Sequence, residues 1–205
     1  MGLDLNKIVV LYEEFYGRNI DMMPQLVAER RVPLSVAGVM SKRLHSSNAD
    51  WKDNYSDTGD AFAYHPDGKF KIMLDSQNLL KINPESKLES GALVLEDGVY
   101  EKLEGHKFTR KQLKRLIERE LTPAKAKAHP IWKELARDDE LLSAYVDSMF
   151  SEMKQRFNYN KNMGVYLASA EKVPTLRVAC IYRLEYRSRL NCRGDLDNDV
   201  GRFAV

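Results

Sequence analysis

Apolar residues recur at helical spacing in the first part of the chain. Residues 4–16 carry one apolar face and are predicted to form an amphipathic helix. Two shorter segments of similar period, 24–31 and about 35–44, lie on either side of a break at Val32-Pro33. The pattern therefore predicts a small helical N-terminal unit over residues 1–48.

The period then changes from helical to alternating. Residues 49–60 are polar and are predicted to be a linker, which leaves 61–205 as an α+β domain. Alternation over 61–74, interrupted by the turn His65-Pro66-Asp67-Gly68, predicts a β-hairpin. A second hairpin is predicted over 92–100, where an Asp-Gly pair separates two apolar runs.

Helical spacing returns in the middle of the chain. Thr109 and Gln112 form a capping-box pair for a helix that is expected to run to about Leu121. The pair Asp138-Asp139 is expected to cap a long helix that ends near Phe157. After that helix the chain becomes strand-like to its end. Strands at both ends of the domain with helices between them predict an α+β fold of antiparallel hairpins, a helical middle and a C-terminal antiparallel sheet.

Composition excludes several classes of protein. The longest uninterrupted apolar run, residues 8–12, is far shorter than the ~20 residues of a membrane span. Two cysteines in 205 residues do not make a disulfide framework, so a reduced cytoplasmic setting is expected. A net charge of +2 excludes a polycationic coat protein.

The near-neutral total hides an uneven distribution of charge along the chain. Residues 49–104 contain 12 acidic and 6 basic groups, whereas residues 105–161 contain 8 acidic and 13 basic groups. Such asymmetry indicates that the two segments meet each other or a partner.

The basic segment around residues 107–127 is the first candidate site. Its cations are Lys107, Arg110, Lys111, Lys114, Arg115, Arg119, Lys125 and Lys127. A helix with an apolar stripe on the opposite side would present most of them to the phosphates of a nucleic acid. The alternatives are a solvated helix face or a face that neutralises the acidic segment, because aromatic residues that would stack on bases are not interleaved with the cations.

The two short N-terminal helices offer a second candidate. Their apolar spacing loosely resembles a helix-turn-helix, in which Lys42 and Arg43 would contact phosphates. Gly38 lies within the would-be recognition helix, which weakens the resemblance. An ordinary helical hairpin is the alternative.

The third candidate lies near the C-terminus, where every second residue from Arg183 to Asp199 is polar. Asp195, Asp197 and Asp199 would then share a face and could bind Mg²⁺. In the alternative, a turn near Asn191 to Gly194 folds the acidic end of this segment back over the basic end, which gives cross-strand Arg–Asp pairs on an exposed sheet face.

These candidates give three hypotheses about function. The leading one is a nucleic-acid-associated protein that binds through the basic helix, and its alternative is a metal-dependent phosphoester enzyme built on the Asp cluster. The third is a protein-interaction or scaffold module, with a protein partner or self-association. Whether the chain is an enzyme stays open. No cofactor is predicted, apart from Mg²⁺ under the enzyme hypothesis, and no membrane is expected as a partner.

Overall fold

The computed structural model describes residues 13–46, 49–168 and 171–205. The helices are α1 (Asn19–Ala28), α2 (Val36–His45), α3 (Asp50–Asp53), α4 (Val99–Lys102), α5 (Arg110–Leu116), α6 (Pro123–Ala128), α7 (Pro130–Ala136) and α8 (Asp139–Phe157). The strands are β1 (Glu14–Tyr16), β2 (Ser56–Tyr64), β3 (Phe70–Met73), β4 (Leu88–Glu89), β5 (Ala92–Val94), β6 (His106–Phe108), β7 (Glu120–Leu121), β8 (Asn162–Met163), β9 (Val165–Tyr166), β10 (Thr175–Ile181), β11 (Leu190–Gly194) and β12 (Arg202–Ala204). The predicted α+β class is confirmed.

One large sheet organises the molecule. Its main path runs β1-β12-β2-β10-β11-β9, β3 joins β2 to β6, and β5 joins β10 to β4. Most neighbours are antiparallel, but β12 runs parallel to β2 and β9 runs parallel to β11. The first predicted hairpin is confirmed, with Tyr64 opposite Phe70 and Ala61 opposite Met73.

Both faces of this sheet are covered. Phe62 and Tyr64 of β2 contribute to a core that includes α2 and α6–α8, while Ala61 and Ala63 contribute to a second core that includes α1. Successive side chains of a strand point to opposite faces, so β2 supplies both cores. This double burial makes β2 the structural centre of the molecule.

The polar segment predicted as a linker is only partly a loop. Residues 56–60 form the first half of β2 and are buried, although they include Asp57 and Asp60. The carboxylate of Asp60 accepts hydrogen bonds from the backbone N–H of Val36 and Asp75, at 2.7 and 2.9 Å, and pairs with Arg137 at 2.7 Å. These partners satisfy the hydrogen-bonding capacity of the Asp60 carboxylate. A segment of polar composition can therefore form a buried central strand.

The N-terminal helix prediction was wrong at its end. Residues 1–12 lie outside the described residues, and residues 14–16, the end of the predicted helix, form strand β1. This strand pairs with β12, with Phe15 opposite Phe203. Long-range pairing with the other end of the chain overrode the local helical period.

The second hairpin prediction was also wrong. Gly98 adopts a left-handed conformation (φ 73°) and is followed by the helical turn α4, and β5 pairs with β4 and β10. The Asp-Gly pair therefore begins a helix.

The helical middle follows the predictions more closely. Thr109 and Gln112 form the capping box, and Asp138 caps α8, which ends at Phe157 as predicted. However, α5 ends at Leu116, because residues 120–121 pair with β8. The basic helix is therefore shorter than predicted.

Candidate functional site: a tyrosine–arginine face

The alternating pattern predicted over residues 183–199 is not one strand. Strand β10 ends at Ile181, a 3₁₀ turn covers Leu184–Tyr186, and β11 begins at Leu190. Arg187 and Ser188 have positive φ angles of 65° and 47°. Non-glycine residues rarely adopt this backbone conformation, and its presence at two successive positions indicates a loop that is held by its surroundings.

This loop brings arginine side chains over tyrosine rings. The guanidinium of Arg189 lies 4.8, 4.6 and 5.6 Å from the ring centroids of Tyr166, Tyr182 and Tyr186. Further pairs join Arg183 to Tyr186 at 4.7 Å, Arg187 to Tyr159 at 4.2 Å and Arg193 to Tyr166 at 5.9 Å. We call these eight residues the tyrosine–arginine face. Each pair lies within cation–π distance.

A buried arginine holds the loop from below. Arg43 of α2 is fully buried and donates hydrogen bonds to the carbonyl oxygen of Tyr182 at 3.0 Å and to Ser188 Oγ at 3.2 Å. The hydroxyl of Tyr145 on α8 accepts from the same guanidinium at 3.1 Å and lies 2.8 Å from Ser188 Oγ. Two helices thus fix both ends of the loop that carries the face.

The arginines of the face differ in their ionic partners. Arg183 pairs with Glu185 at 3.1 Å, and Arg187 pairs with Glu120 at 2.9 Å. Among the described residues, no carboxylate lies within ion-pair distance of Arg189 or Arg193. These two guanidinium groups are therefore positioned by tyrosine rings and could each bind an anion.

A cavity of about 320 Å³ lies beside the face. Tyr55, Tyr182 and Tyr186 form part of its lining, which reaches the buried Asp57 and Cys180. Burial raises the pKa of the Asp57 carboxyl to about 6, and burial followed by the nearby Asp57 raises the pKa of Tyr55 to about 12. Burial also raises the pKa of Cys180 and Cys192, so neither thiol is an activated nucleophile.

The residues predicted to bind nucleic acid differ in exposure and in pairing. Lys107, Arg110, Lys111 and Arg115 are exposed on β6 and α5, while the side chain of Lys114 lies outside the described part of the structure. Lys125 pairs with Glu118 at 2.7 Å. Lys42 lies 5.1 Å from the centroid of the Trp51 ring. The prediction that Arg43 contacts a phosphate was wrong, because its side chain is buried.

The structure does not gather the three C-terminal aspartates into one ligand set. Asp195 bonds to Arg177 at 2.5 Å, while Asp197 and Asp199 are exposed. Within residues 13–46, 49–168 and 171–205, no group of three His, Cys, Asp or Glu side chains could hold a metal ion. Residues 195–200, which follow β11, form turns and not a strand, so the alternation on which the Mg²⁺ hypothesis depended is absent there.

Sequence reasoning identified the arginines near the C-terminus but missed the tyrosines. Tyr182 and Tyr186 lie among four arginines within residues 182–193, and this local enrichment was a usable signal. Tyr159 and Tyr166 gave no such signal, because they join the face through the α8–β9 connection and β9.

Comparisons with known proteins were made for the sequence and for the fold. No protein-family model matches the chain, and no curated protein matches it. The chain is similar to a solved structure, with a TM-score of 0.73. That structure is described by the words “Accommodation of massive sequence variation in Nanoarchaeota by the C-type lectin fold”. The alignment covers 97% of this chain and 99% of the other, at 16% sequence identity.

This likeness corrects the leading functional hypothesis. The solved structure that the chain resembles is described by its C-type lectin fold and not by nucleic-acid binding, and two of the predicted phosphate contacts are unavailable, because Lys125 pairs with Glu118 and Arg43 is buried. The nucleic-acid hypothesis was therefore wrong.

Among the described residues, no helix has the length and apolar composition needed to cross a bilayer. At 16% identity the comparison shows the fold, and the chain accordingly has the C-type lectin fold.

Proposed function

We propose that this chain is a protein-interaction module that recognises its partner through the tyrosine–arginine face. The observation that carries the proposal is the position of Arg189, which contacts three tyrosine rings and has no carboxylate partner among the described residues. Tyrosine and arginine are enriched at the energetic centres of protein interfaces, where rigid rings supply area and guanidinium groups supply charge. The partner is expected to bring a carboxylate to Arg189.

The support beneath the face favours tight binding. Arg43 and Tyr145 fix the loop, so binding has little conformational entropy to remove. The neighbouring fold accommodates massive sequence variation. This supports a molecule in which a common scaffold sets the fold and the surface residues, which differ between proteins of that fold, set the partner.

The test is a comparison of variants in a nuclease-treated extract of the source organism. Immobilised wild-type chain should retain a protein that Tyr186→Ala and Arg189→Ala release, with about a 30-fold loss of affinity once that protein is purified. The matched control, Lys111→Ala with Arg115→Ala, removes two exposed cations from α5 and should retain it.

Two results would contradict the proposal. Proteins retained equally by the wild-type and face variants would show that the face is not the binding surface. Binding to a printed glycan array, lost in Tyr186→Ala while no protein is retained, would replace the protein partner by a carbohydrate.

A further inference from the structure

A second and larger cleft lies between the β2–β3 turn, α5 and β11. Its volume is about 710 Å³, within the range of roughly 300–1,000 Å³ that is usual for small-molecule sites. Tyr159, Tyr182, Tyr186 and Arg189 of the tyrosine–arginine face are absent from its lining. The cleft is therefore a separate cavity that shares Arg193 with the face.

Part of the cleft lining is apolar. Leu113, Ile117 and Leu167 contribute to it, and Ile117 is 44% exposed. Ile117 directly follows the last residue of α5, and its exposure leaves apolar surface that a ligand could remove from water. This lining would accept the hydrocarbon or aromatic body of a ligand.

Both carboxylates of the cleft pair with one buried arginine. Arg177 is almost wholly buried and binds Glu171 at 2.9 Å and Asp195 at 2.5 Å. Its second terminal nitrogen also donates to the carbonyl oxygen of Ser90 at 2.8 Å. One buried guanidinium thus pairs with both acidic residues of the lining. The four cations of the lining, Lys69, Arg110, Arg177 and Arg193, exceed these two carboxylates and leave a net charge of +2 that favours an anion.

The remaining charges of the cleft are positive. Arg110 and Arg193 are exposed, and among the described residues neither has an ion pair. Gly68 lets the β2–β3 turn close against Arg110, since a Cβ at that position would lie 2.9 Å from the Arg110 Cγ and Cδ atoms. The turn therefore packs on the aliphatic part of Arg110 beside the cleft. Lys69, which bonds to Asp67, lies on the same side.

We infer that this cleft binds a small organic anion with an apolar body, such as an amphipathic carboxylate. Arg110 and Arg193 would bind the anionic group, because guanidinium groups form strong charge-assisted hydrogen bonds with carboxylates. Leu113, Ile117 and Leu167 would contact the apolar body. The inference stands apart from the proposed function, and Arg110 belongs to the cleft without belonging to the tyrosine–arginine face.

The test uses two fluorescent probes that share an apolar body and differ in charge. The anionic probe is 8-anilinonaphthalene-1-sulfonate, and the neutral one is N-phenyl-1-naphthylamine. The wild-type chain should bind the anionic probe saturably and about tenfold more tightly than the neutral probe. Arg110→Gln with Arg193→Gln should remove this preference and leave the affinity for the neutral probe unchanged. Decanoate should displace the anionic probe more effectively than decanol does.

A matched control separates a site from general positive charge. Lys111→Gln with Arg115→Gln removes the same charge from exposed positions of α5 outside the cleft lining and should preserve the preference for the anion. The inference is overturned if the wild-type chain shows no saturable signal, if it binds both probes equally, or if the control pair loses the preference as fully as the cleft pair. Ile117→Ser should weaken the binding of both probes, and unchanged binding would remove the apolar part of the inference.

Discussion

Two regions of the molecule carry comparable positive charge but differ in how they hold it. In α5, Arg110, Lys111 and Arg115 are exposed, and none of them lies over an aromatic ring of the described residues. In the loop of residues 182–189, Arg183, Arg187 and Arg189 each lie over at least one tyrosine.

The difference shows why the number of cations is a poor guide to the proposed binding surface. A solvated side chain must lose rotamer freedom before it can contribute to a complex, which costs about 0.5–1.5 kcal/mol for each long side chain. An arginine already stacked on a ring has lost part of that freedom on folding. Positioned cations beside rigid rings are thus better suited to recognition than a larger number of mobile ones.

The two regions also differ in what lies beneath them, and replacing Arg43 should give the largest effect on stability. Arg43→Met would remove the guanidinium that donates to the carbonyl oxygens of Tyr182 and Asn54 and to Ser188 Oγ. We expect the free energy of unfolding to fall by about 4 kcal/mol, because unsatisfied buried acceptors pay their full desolvation cost. Urea denaturation measures this change, and the melting temperature should fall by about 10 °C.

The matched control is Arg115→Met on α5. Arg115 is exposed, so its loss should change the free energy of unfolding by less than about 0.5 kcal/mol. Equal effects of the two substitutions would show that Arg43 does not anchor the loop and would remove the contrast between the two regions.

The same contrast explains what the sequence could predict. Elements set by local signals were predicted well: the hairpin around His65-Pro66-Asp67-Gly68, the capping box at Thr109 and the helix capped by Asp138. Elements set by long-range partners were not. Strand β1 depends on β12, and the buried carboxylate of Asp60 depends on Arg137 and on backbone donors from two other segments.

The candidate site belongs to the second group. Alternation predicted that strand character continues to about Leu190, but Arg43, about 140 positions earlier, holds the backbone of residues 182–188 in another path. Single-sequence patterns do not report which buried donor meets which carbonyl group, so the tyrosines could not be assigned to one surface.

A buried titratable group lies near each of the two regions, and we expect a stability effect of intermediate size from each. Asp57 lies beneath the tyrosine–arginine face, and burial raises its pKa to about 6. His129 lies beneath α5, where its Nε2 is 3.0 Å from the carbonyl oxygen of Leu116, and burial lowers its pKa. The two groups should affect stability in opposite directions as the pH changes.

The signs follow from which state binds more protons. The folded state holds the Asp57 proton more tightly, so its contribution to stability is present at pH 3.8 and below and is lost as the pH rises through about 6. For His129 the unfolded state binds the proton more tightly, so stability is present above pH 6.5 and is lost as the pH falls through the lower pKa of the folded state.

Acidification from about pH 7 to about pH 5 should therefore change the free energy of unfolding of two variants in opposite directions. In His129→Gln, Asp57 remains, and the free energy of unfolding should rise by about 1 kcal/mol. In Asp57→Asn, His129 remains, and the free energy of unfolding should fall over the same range. Urea titrations at several pH values measure both slopes. Parallel slopes in the two variants would contradict the assignment of opposite roles.

The smallest expected effect concerns the shape of the cation. Arg189→Lys keeps the positive charge but replaces a planar group that contacts three tyrosine rings by a compact ammonium. We expect the free energy of unfolding to fall by about 0.5 kcal/mol, since one cation cannot retain all three ring contacts. Arg115→Lys, where no ring is within contact in the described part of the chain, should leave stability unchanged within the error of urea denaturation. An equal response at both positions would mean that stacking on tyrosine adds nothing to the position of Arg189, and the distinction between the two arginine-rich regions would then rest on Arg43 and the loop beneath it.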